Sequence, residues 1–161
     1  MTEALESIVG KLLLQQKLTV CTAESCTGGL VGHLLTNIAG SSAYVLGGII
    51  AYSNMVKQHV LGVSEATLIQ YGAVSEQTAG EMALGALRVI GADIAVSITG
   101  IAGPGGGTSE KPVGLTYIGL ADKNGIYKVE RHIWQSDRVG NKQASAEAAL
   151  RLIITYLESK I

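Results

Sequence analysis

Residues 22–29 read Thr-Ala-Glu-Ser-Cys-Thr-Gly-Gly and separate two different apolar patterns. The preceding residues, 18–21, form a short apolar and β-branched run that is typical of a buried strand. The residues that follow carry apolar side chains at the spacing of one helical face: Leu30, Val31, Leu34, Leu35 and Ile38. The octet therefore predicts a turn that leads from a strand into a helix.

A turn of this kind can bind negative charge through its backbone. The first N–H groups of a helix have no intrahelical partner, and glycine allows a ligand to come close. An anion, or a negative charge that develops on an oxygen atom, is stabilised there. The alternative is that Ser25 or Thr27 only caps the helix, because both residue types are preferred caps. The turn taken alone favours the cap.

The composition predicts one domain that acts on a small molecule. A chain of 161 residues can bury a substantial core, so we predict a single domain over residues 1–161. Charged residues make up 16%, below the roughly 25% of an average soluble domain, which predicts a homo-oligomer with covered surface. The net charge of −1 and the lack of a basic block do not favour binding to nucleic acid or to an anionic membrane.

The two cysteines and the first residues predict a cytoplasmic location. Cys21 and Cys26 have no second pair with which to complete a zinc site, and unpaired cysteines are typical of a reducing compartment. Residues 1–6 carry acidic side chains where a secretory signal would carry basic ones. We therefore predict a cytoplasmic protein without a zinc site, and the serine chemistry considered below needs neither a metal nor a cofactor.

Apolar periodicity and capping residues predict the helices. An amphipathic helix covers residues 5–13, with Thr2 as its cap. Short helices follow Asn54 and Ser64, which have the side chains to cap them, and Ser75 caps a longer helix. A last apolar pattern predicts a helix that begins at Asp137-Arg138. The apolar face of this helix, which extends to Leu157, is predicted to be buried.

The strands complete the fold class. Residues 44–51 and 94–98 predict strands that are buried on both faces, and residues 113–120 and 126–134 predict a β-hairpin. Strands that alternate with helices, followed by one hairpin, are typical of layered α/β proteins. We therefore predict a three-layer α/β/α sandwich with a mixed, mostly parallel sheet and a C-terminal β-hairpin.

The loop at residues 99–108 contains five glycines within eight residues. It matches neither the phosphate-binding pattern that ends in Gly-Lys-Ser/Thr nor the dinucleotide-binding pattern. One alternative is a mobile surface loop. Because ordering so many glycines costs conformational entropy, we instead predict a backbone wall around a small ligand.

Ser25 is the candidate nucleophile, and a lysine is its candidate base. His33 lies eight residues further along the same helix, about 12 Å away, and therefore does not reach Ser25. Lys57 and Tyr52 follow the neighbouring strand, and the ends of parallel strands converge. Desolvation lowers the pKa of a lysine, and serine activated by lysine is a known variant of the catalytic triad.

Other interpretations of these residues remain open. Lys57 could lie on a solvated helix face, and Tyr52 could simply pack in the sheet. Cys26 competes as a nucleophile because thiolates attack well, although we expect the adjacent side chain on the turn to point away. His59 and His132 lie on other elements, so the sequence indicates no Ser-His-Asp triad.

Motifs in order along the chain resemble those of the CinA C-terminal domain family. They are residues 22–29, Ala51-Tyr52-Ser53-Asn54 with Lys57, Leu61-Gly62-Val63, Gly72-Ala73-Val74-Ser75, residues 97–104, Lys111-Pro112-Val113-Gly114 and Asp137-Arg138. Members of that family hydrolyse the carboxamide of nicotinamide mononucleotide, which gives nicotinate mononucleotide and ammonia. The resemblance implies that Ser25 is the nucleophile and that Lys57 with Tyr52 handles the proton.

We predict substrate contacts from four segments of the chain. Their residues are Glu24, Thr27, Gly28, Asn54, Thr99, Gly100, Gly103 and Arg138. N–H groups near Thr27 and Gly28 would stabilise the oxyanion. Arg138 would bind either a phosphate or a fixed internal carboxylate, and Glu24 would either orient a neighbouring group or serve as a first-turn acid.

Two other classes of function remain open at this point. A serine hydrolase or acyltransferase with a different small substrate would use the same Ser25 turn. A non-catalytic nucleotide-binding module would keep the glycine loop without needing Ser25 or Lys57.

Overall fold

The computed structural model describes residues 2–161 as six α-helices and five strands. In chain order they are α1 (Leu5–Gln16), β1 (Val20–Glu24), α2 (Leu30–Thr36), β2 (Val45–Ile50), α3 (Asn54–His59), α4 (Glu65–Tyr71), α5 (Glu76–Ile90), β3 (Ile94–Gly100), β4 (Leu115–Asp122), β5 (Gly125–Ile133) and α6 (Arg138–Glu158). Within this part of the chain, no helix has both the length and the apolar character needed to cross a bilayer.

The strands form one mixed sheet with the order β2-β1-β3-β4-β5. The pairs β2-β1 and β1-β3 are parallel, and the pairs β3-β4 and β4-β5 are antiparallel. One face is covered by α1, α2 and α6, and α5 covers the other, which gives each face its own apolar core. The predicted three-layer sandwich with a parallel core and a β-hairpin is confirmed.

The topology brings three chain segments to one edge of the sheet. Since β1 lies between β2 and β3, the residues after these parallel strands meet at their common carboxyl end. Ser25 follows β1, Ala51 follows β2 and Ile101 follows β3. Open α/β sheets bind ligands where the strand order reverses, and β1 and β3 form such a point here.

The prediction that β2 is buried on both faces is wrong. Its side chains alternate between partly buried and exposed, and Leu46 and Ile50 are 48% and 56% exposed. The physical reason is its position at the edge of the sheet, where it pairs only with β1 among the described residues. An apolar run in the sequence does not distinguish an edge strand from a central one.

The helix caps agree with the sequence in part. Ser64 and Ser75 cap α4 and α5 as predicted, and Asp137, where the last helix was predicted to open, caps α6; in each case a side-chain oxygen accepts a backbone N–H. Thr2 does not cap α1, because Ala4 occupies the cap position. Asn54 is instead the first residue of α3, and the hydroxyl of Ser53 accepts the N–H of Val56 at 3.1 Å.

Candidate active site

Residues 25–29, the catalytic turn, connect β1 to α2. Gly28 and Gly29 have φ angles of 61° and 102°, a conformation that L side chains rarely adopt. Gly29 occupies the cap position of α2, and no side chain caps the helix from there. Neither Ser25 nor Thr27 is therefore a helix cap, which removes the alternative that the sequence alone favoured.

The buried carboxylate of Glu24 holds the catalytic turn in place through hydrogen bonds. Its carboxylate is 1% exposed and accepts the Thr27 hydroxyl at 2.7 Å and the Val31 N–H at 2.9 Å. Its second oxygen accepts the N–H of Gly32 at 3.0 Å. Glu24 thus satisfies the first N–H groups of α2 and orients a neighbouring hydroxyl, which is one of the two roles considered for it.

Lys57 and Ser25 form a buried pair. Lys57 Nζ lies 2.9 Å from Ser25 Oγ, and Lys57 and Ser25 are 2% and 7% exposed. The ammonium also donates to the carbonyl oxygens of Ala51 at 2.9 Å and Tyr52 at 3.2 Å. None of the ion pairs within residues 2–161 includes Lys57, and burial lowers its pKa. The alternative of a solvated helix face is wrong.

The three contacts of Lys57 match the three N–H groups of its ammonium, and they also suit the neutral amine that forms when Lys57 loses a proton. A neutral amine has two N–H groups and one lone pair. The carbonyl oxygens of Ala51 and Tyr52 can accept both N–H groups, which leaves the lone pair for the hydroxyl proton of Ser25. This is the hydrogen-bond arrangement that a general base requires.

Tyr52 contacts the pair through its backbone and not through its hydroxyl. Its carbonyl accepts from Lys57, whereas its side chain is 61% exposed and its hydroxyl accepts from Arg138 Nη2 at 3.1 Å. The Tyr52 hydroxyl makes no hydrogen bond to Ser25 or Lys57 within residues 2–161. In this structure the Tyr52 hydroxyl is therefore not in contact with the pair, and the Tyr52 carbonyl orients the Lys57 amine.

Most of the predicted site residues line one cavity of about 210 Å³. They are Ser25, Tyr52, Asn54, Lys57, Thr99, Gly100 and Arg138. Glu24, Thr27, Gly28 and Gly103 do not line it. Sequence analysis missed Ala73, Val74 and Ala102 as lining residues, although all three lie within motifs that carry the family resemblance. The Thr99 hydroxyl donates to the Ala73 carbonyl at 2.7 Å and so joins two walls.

The prediction that Gly28 stabilises an oxyanion needs correction. Its N–H donates to the Ser25 carbonyl at 3.0 Å and is therefore already used. Among residues 2–161, the N–H groups of Cys26 and Ala102 have no backbone or side-chain acceptor apart from the Cys26 thiol, and both residues line the cavity. These two groups are candidate backbone donors for an oxyanion beside Ser25.

Arg138, the first residue of α6, closes one side of the cavity. It donates from Nη1 to the Gly103 carbonyl at 2.6 Å and from Nη2 to the Tyr52 hydroxyl. None of the ion pairs in residues 2–161 includes it, so the proposed carboxylate partner is not present there. Arginine has five N–H donors, and three are left for an anion.

The histidines lie away from this cavity. His33 is exposed, with its ring 3.4 Å from the Asn37 amide, and His132 stacks on Trp134 with ring centres 4.6 Å apart. None of the three histidines lines the cavity. Within residues 2–161, no group of three or more His, Cys, Asp or Glu side chains is placed to hold a metal ion.

Cys26 lines the cavity beside Ser25, whereas we expected its side chain to point away. Burial raises the pKa of its thiol to about 11, because the charged thiolate would lose solvation. The thiol is therefore protonated at neutral pH, and a protonated thiol is a poor nucleophile. The electrostatics favour Ser25 over Cys26.

We expect Cys26→Ala to keep most of the activity of the wild type, because the variant leaves Ser25 and Lys57 in place. The measurement is the initial rate of ammonia release at neutral pH, with thermal unfolding followed in parallel. A folded but inactive Cys26→Ala variant would assign the nucleophile to the thiol.

Comparison with known proteins gives one consistent family. The model of the CinA C-terminal domain matches residues 2–157. A CinA-like protein of Chlorobaculum tepidum is 53% identical over 158 residues, which are 96% of this chain and 37% of that protein. A putative competence-damage inducible protein of Halothermothrix orenii is 50% identical over 93% of this chain and 36% of its own length. The chain thus spans little more than a third of these relatives.

Solved structures agree with the fold over nearly the whole chain. The competence/damage inducible protein CihA of Agrobacterium tumefaciens superposes with a TM-score of 0.87 at 42% identity, covering 98% of this chain and 99% of that one. The competence damage-inducible protein A of Klebsiella pneumoniae gives a TM-score of 0.92 at 31% identity, with 96% and 95% covered. This chain belongs to the CinA C-terminal domain family.

Proposed function

We propose that this protein hydrolyses the carboxamide of nicotinamide mononucleotide to nicotinate mononucleotide and ammonia. The observation that carries the proposal is the buried pair of Ser25 and Lys57, whose reacting atoms lie 2.9 Å apart in a cavity at the carboxyl edge of the sheet. A serine next to a desolvated lysine is suited to acyl transfer. Membership of the CinA family supports an enzymatic role, and the family resemblance suggests the substrate.

The first half of the reaction forms an acyl-enzyme. Ser25 Oγ attacks the carboxamide carbon while neutral Lys57 takes the hydroxyl proton. The carbonyl electron pair moves to the oxygen, and the N–H groups of Cys26 and Ala102 stabilise this oxyanion. When the oxyanion collapses, the C–N bond breaks, and Lys57 returns its proton to the leaving nitrogen to give ammonia.

The second half restores the enzyme. Water enters the position that ammonia leaves and attacks the acyl carbon, and Lys57, neutral again, accepts a proton from the water. The ester bond to Ser25 breaks, the proton returns from Lys57 to Ser25 Oγ, and the carboxylic acid that forms releases its remaining proton to solvent and leaves as a carboxylate. The protons of Ser25 and of the attacking water are both taken up by Lys57, the amine beside Ser25.

The direct test is to incubate the purified chain with nicotinamide mononucleotide and measure both products, ammonia and nicotinate mononucleotide. The proposal expects them in equal amounts. A panel of other small amides and esters should be measured beside it. Faster turnover of one of these would identify a serine hydrolase or acyltransferase with another substrate, and no turnover of any would favour a non-catalytic binding module.

We expect nicotinamide riboside, which lacks the phosphate, to be a much poorer substrate than the mononucleotide. Binding energy from the phosphate helps to position the distant carboxamide over Ser25. A charge-assisted hydrogen bond contributes roughly 1.5–3 kcal/mol, so one lost contact implies a drop in kcat/KM of about tenfold to a hundredfold. Equal values of kcat/KM for the two substrates would remove the phosphate from the recognition of the substrate.

Arg138→Ala separates the two roles of the arginine. If its unused N–H groups bind the phosphate, the variant loses kcat/KM for the mononucleotide and changes little for the riboside. Arg151→Ala is the matched control, because Arg151 is also exposed on α6 but does not line the cavity. Equal losses for both substrates would mean that Arg138 acts only by holding Gly103 and Tyr52.

A further inference from the structure

A second cavity, of about 400 Å³, lies on the other side of the catalytic turn. Residues 27–29 of the turn form one wall, α2 forms another, and the first two turns of α6 close it with Lys142. The two cavities share no lining residue, but they lie on neighbouring parts of the same turn. Residues 25 and 26 line the Ser25 cavity, and residues 27–29 line the second cavity. A molecule that extends across the turn would therefore contact both.

The charges around this cavity favour an anion. No Asp or Glu lines it, whereas Lys142 and His33 do. Lys142 is half-buried and takes part in none of the ion pairs within residues 2–161. The buried carboxylate of Glu24 lies beneath the turn, where three hydrogen bonds from Thr27, Val31 and Gly32 already compensate its charge.

Two cations flank the catalytic turn without a counter-charge. Arg138 and Lys142 are four residues apart on α6, so they lie on one face of the helix about 6 Å apart along its axis. Like charges at this spacing destabilise a helix. Arg138 lines the Ser25 cavity and Lys142 lines the second one, and neither has a carboxylate partner among the described residues.

The turn also leaves space and a donor for a ligand. Lys142 Nζ lies 3.8 Å from the position that a Cβ at Gly28 would occupy, so the ammonium faces bare backbone. The N–H of Gly29 has no acceptor within residues 2–161. Backbone donors beside a lysine are the groups with which proteins commonly hold phosphate.

The Ser25 cavity is too small for a complete nucleotide. Its 210 Å³ is below the roughly 300–1,000 Å³ of typical ligand cavities, whereas a carboxamide ring alone needs less room. A nucleotide whose ring fills this cavity would extend beyond it, past the exposed Arg138 at its side. The second cavity is the neighbouring space that offers an unpaired cation.

We propose that the second cavity binds a phosphate group, with Lys142 as the residue that supplies the charge. The phosphate has two possible sources: the phosphate monoester of the substrate, in which case the inference rests on the proposed function, or free inorganic phosphate acting as an effector. Both have the same chemistry, and the experiments below distinguish them.

The first experiment measures binding without turnover. The full chain is titrated with inorganic phosphate and with ribose 5-phosphate by calorimetry and by the amide NMR signals of Gly28 and Gly29. We expect saturable binding with shifts of both signals, and roughly tenfold to hundredfold weaker affinity in Lys142→Gln. Lys123→Gln, at the exposed hairpin turn, is the control and should bind as the wild type does. Unchanged affinity in Lys142→Gln, or no binding to the wild type, overturns the proposal.

The second experiment identifies the source of the phosphate. A selective loss of kcat/KM for nicotinamide mononucleotide in Lys142→Gln, with the riboside unaffected, assigns the site to the substrate. If inorganic phosphate instead changes the riboside rate in the wild type but not in Lys142→Gln, the site belongs to an effector. If the wild type hydrolyses neither substrate, the proposed function fails, while the binding experiment still decides whether the phosphate site exists.

Discussion

Replacing Ser25 with alanine is expected to abolish hydrolysis while leaving the fold intact. Among residues 2–161, the variant removes the only atom that lies within hydrogen-bond distance of Lys57 Nζ and can also attack a carbonyl carbon. Loss of a nucleophile costs at least about a thousandfold in kcat, because the remaining members of the site cannot replace it. The measurement is ammonia release from nicotinamide mononucleotide, at enzyme concentrations high enough to detect a rate one thousandth of that of the wild type.

Two controls make this result specific. Cys26→Ala changes the adjacent residue of the same turn and should remain active. Thermal unfolding of Ser25→Ala should stay close to that of the wild type, because the hydroxyl contributes one hydrogen bond, worth about 1 kcal/mol. Comparable ammonia release from Ser25→Ala would show that another group performs the attack.

Lys57→Arg is expected to lose roughly a hundredfold to ten-thousandfold in kcat, the usual contribution of a general base. Arginine keeps the positive charge and the capacity to donate, but it does not give up its proton in the accessible pH range. It therefore cannot accept the proton of Ser25. The exposed Lys128→Arg serves as the matched control. A Lys57→Arg variant with wild-type kcat would mean that a different group is the base.

The same lysine sets the direction of the pH dependence. Burial lowers the pKa of Lys57, because the charged ammonium loses solvation and gains no carboxylate. Below that pKa the amine is protonated and cannot act as a base, and above it the amine is neutral. The rate should therefore rise with pH on its acid limb. A rate that falls as pH rises through this range would contradict a neutral Lys57.

The meeting of Ser25 and Lys57 could be predicted from the sequence because strand order fixes it. Both residues follow strands that end at the same edge of the sheet, and a parallel pair brings such ends together. Which N–H groups are free could not be predicted. Gly28 donates to Ser25, and this local contact depends on the φ angles of two glycines, which no residue pattern encodes.

The exposure of β2 and the position of Lys142 also depend on tertiary packing and could not be predicted from the sequence. The exposure of β2 depends on how many neighbours it has in the finished sheet, whereas its apolar sequence matches that of a central strand. Lys142 was missed because a single lysine within an amphipathic helix is indistinguishable from a solvated one. Lys142 lies beside the glycines of the catalytic turn only because α6 packs against that turn.

The reacting pair and the two cations beside it come from different parts of the chain, which bears on how substrate recognition could evolve. Ser25 and Lys57 come from one continuous segment, β1-α2-β2-α3, whereas Arg138 and Lys142 come from the last helix. Val139 and Gln143 on the same helix are exposed and line the second cavity. Under the proposed roles, bond breaking and phosphate recognition reside in separate parts of the polypeptide, so we expect substitutions at exposed positions of α6 to change substrate recognition and to leave the reacting atoms where they are.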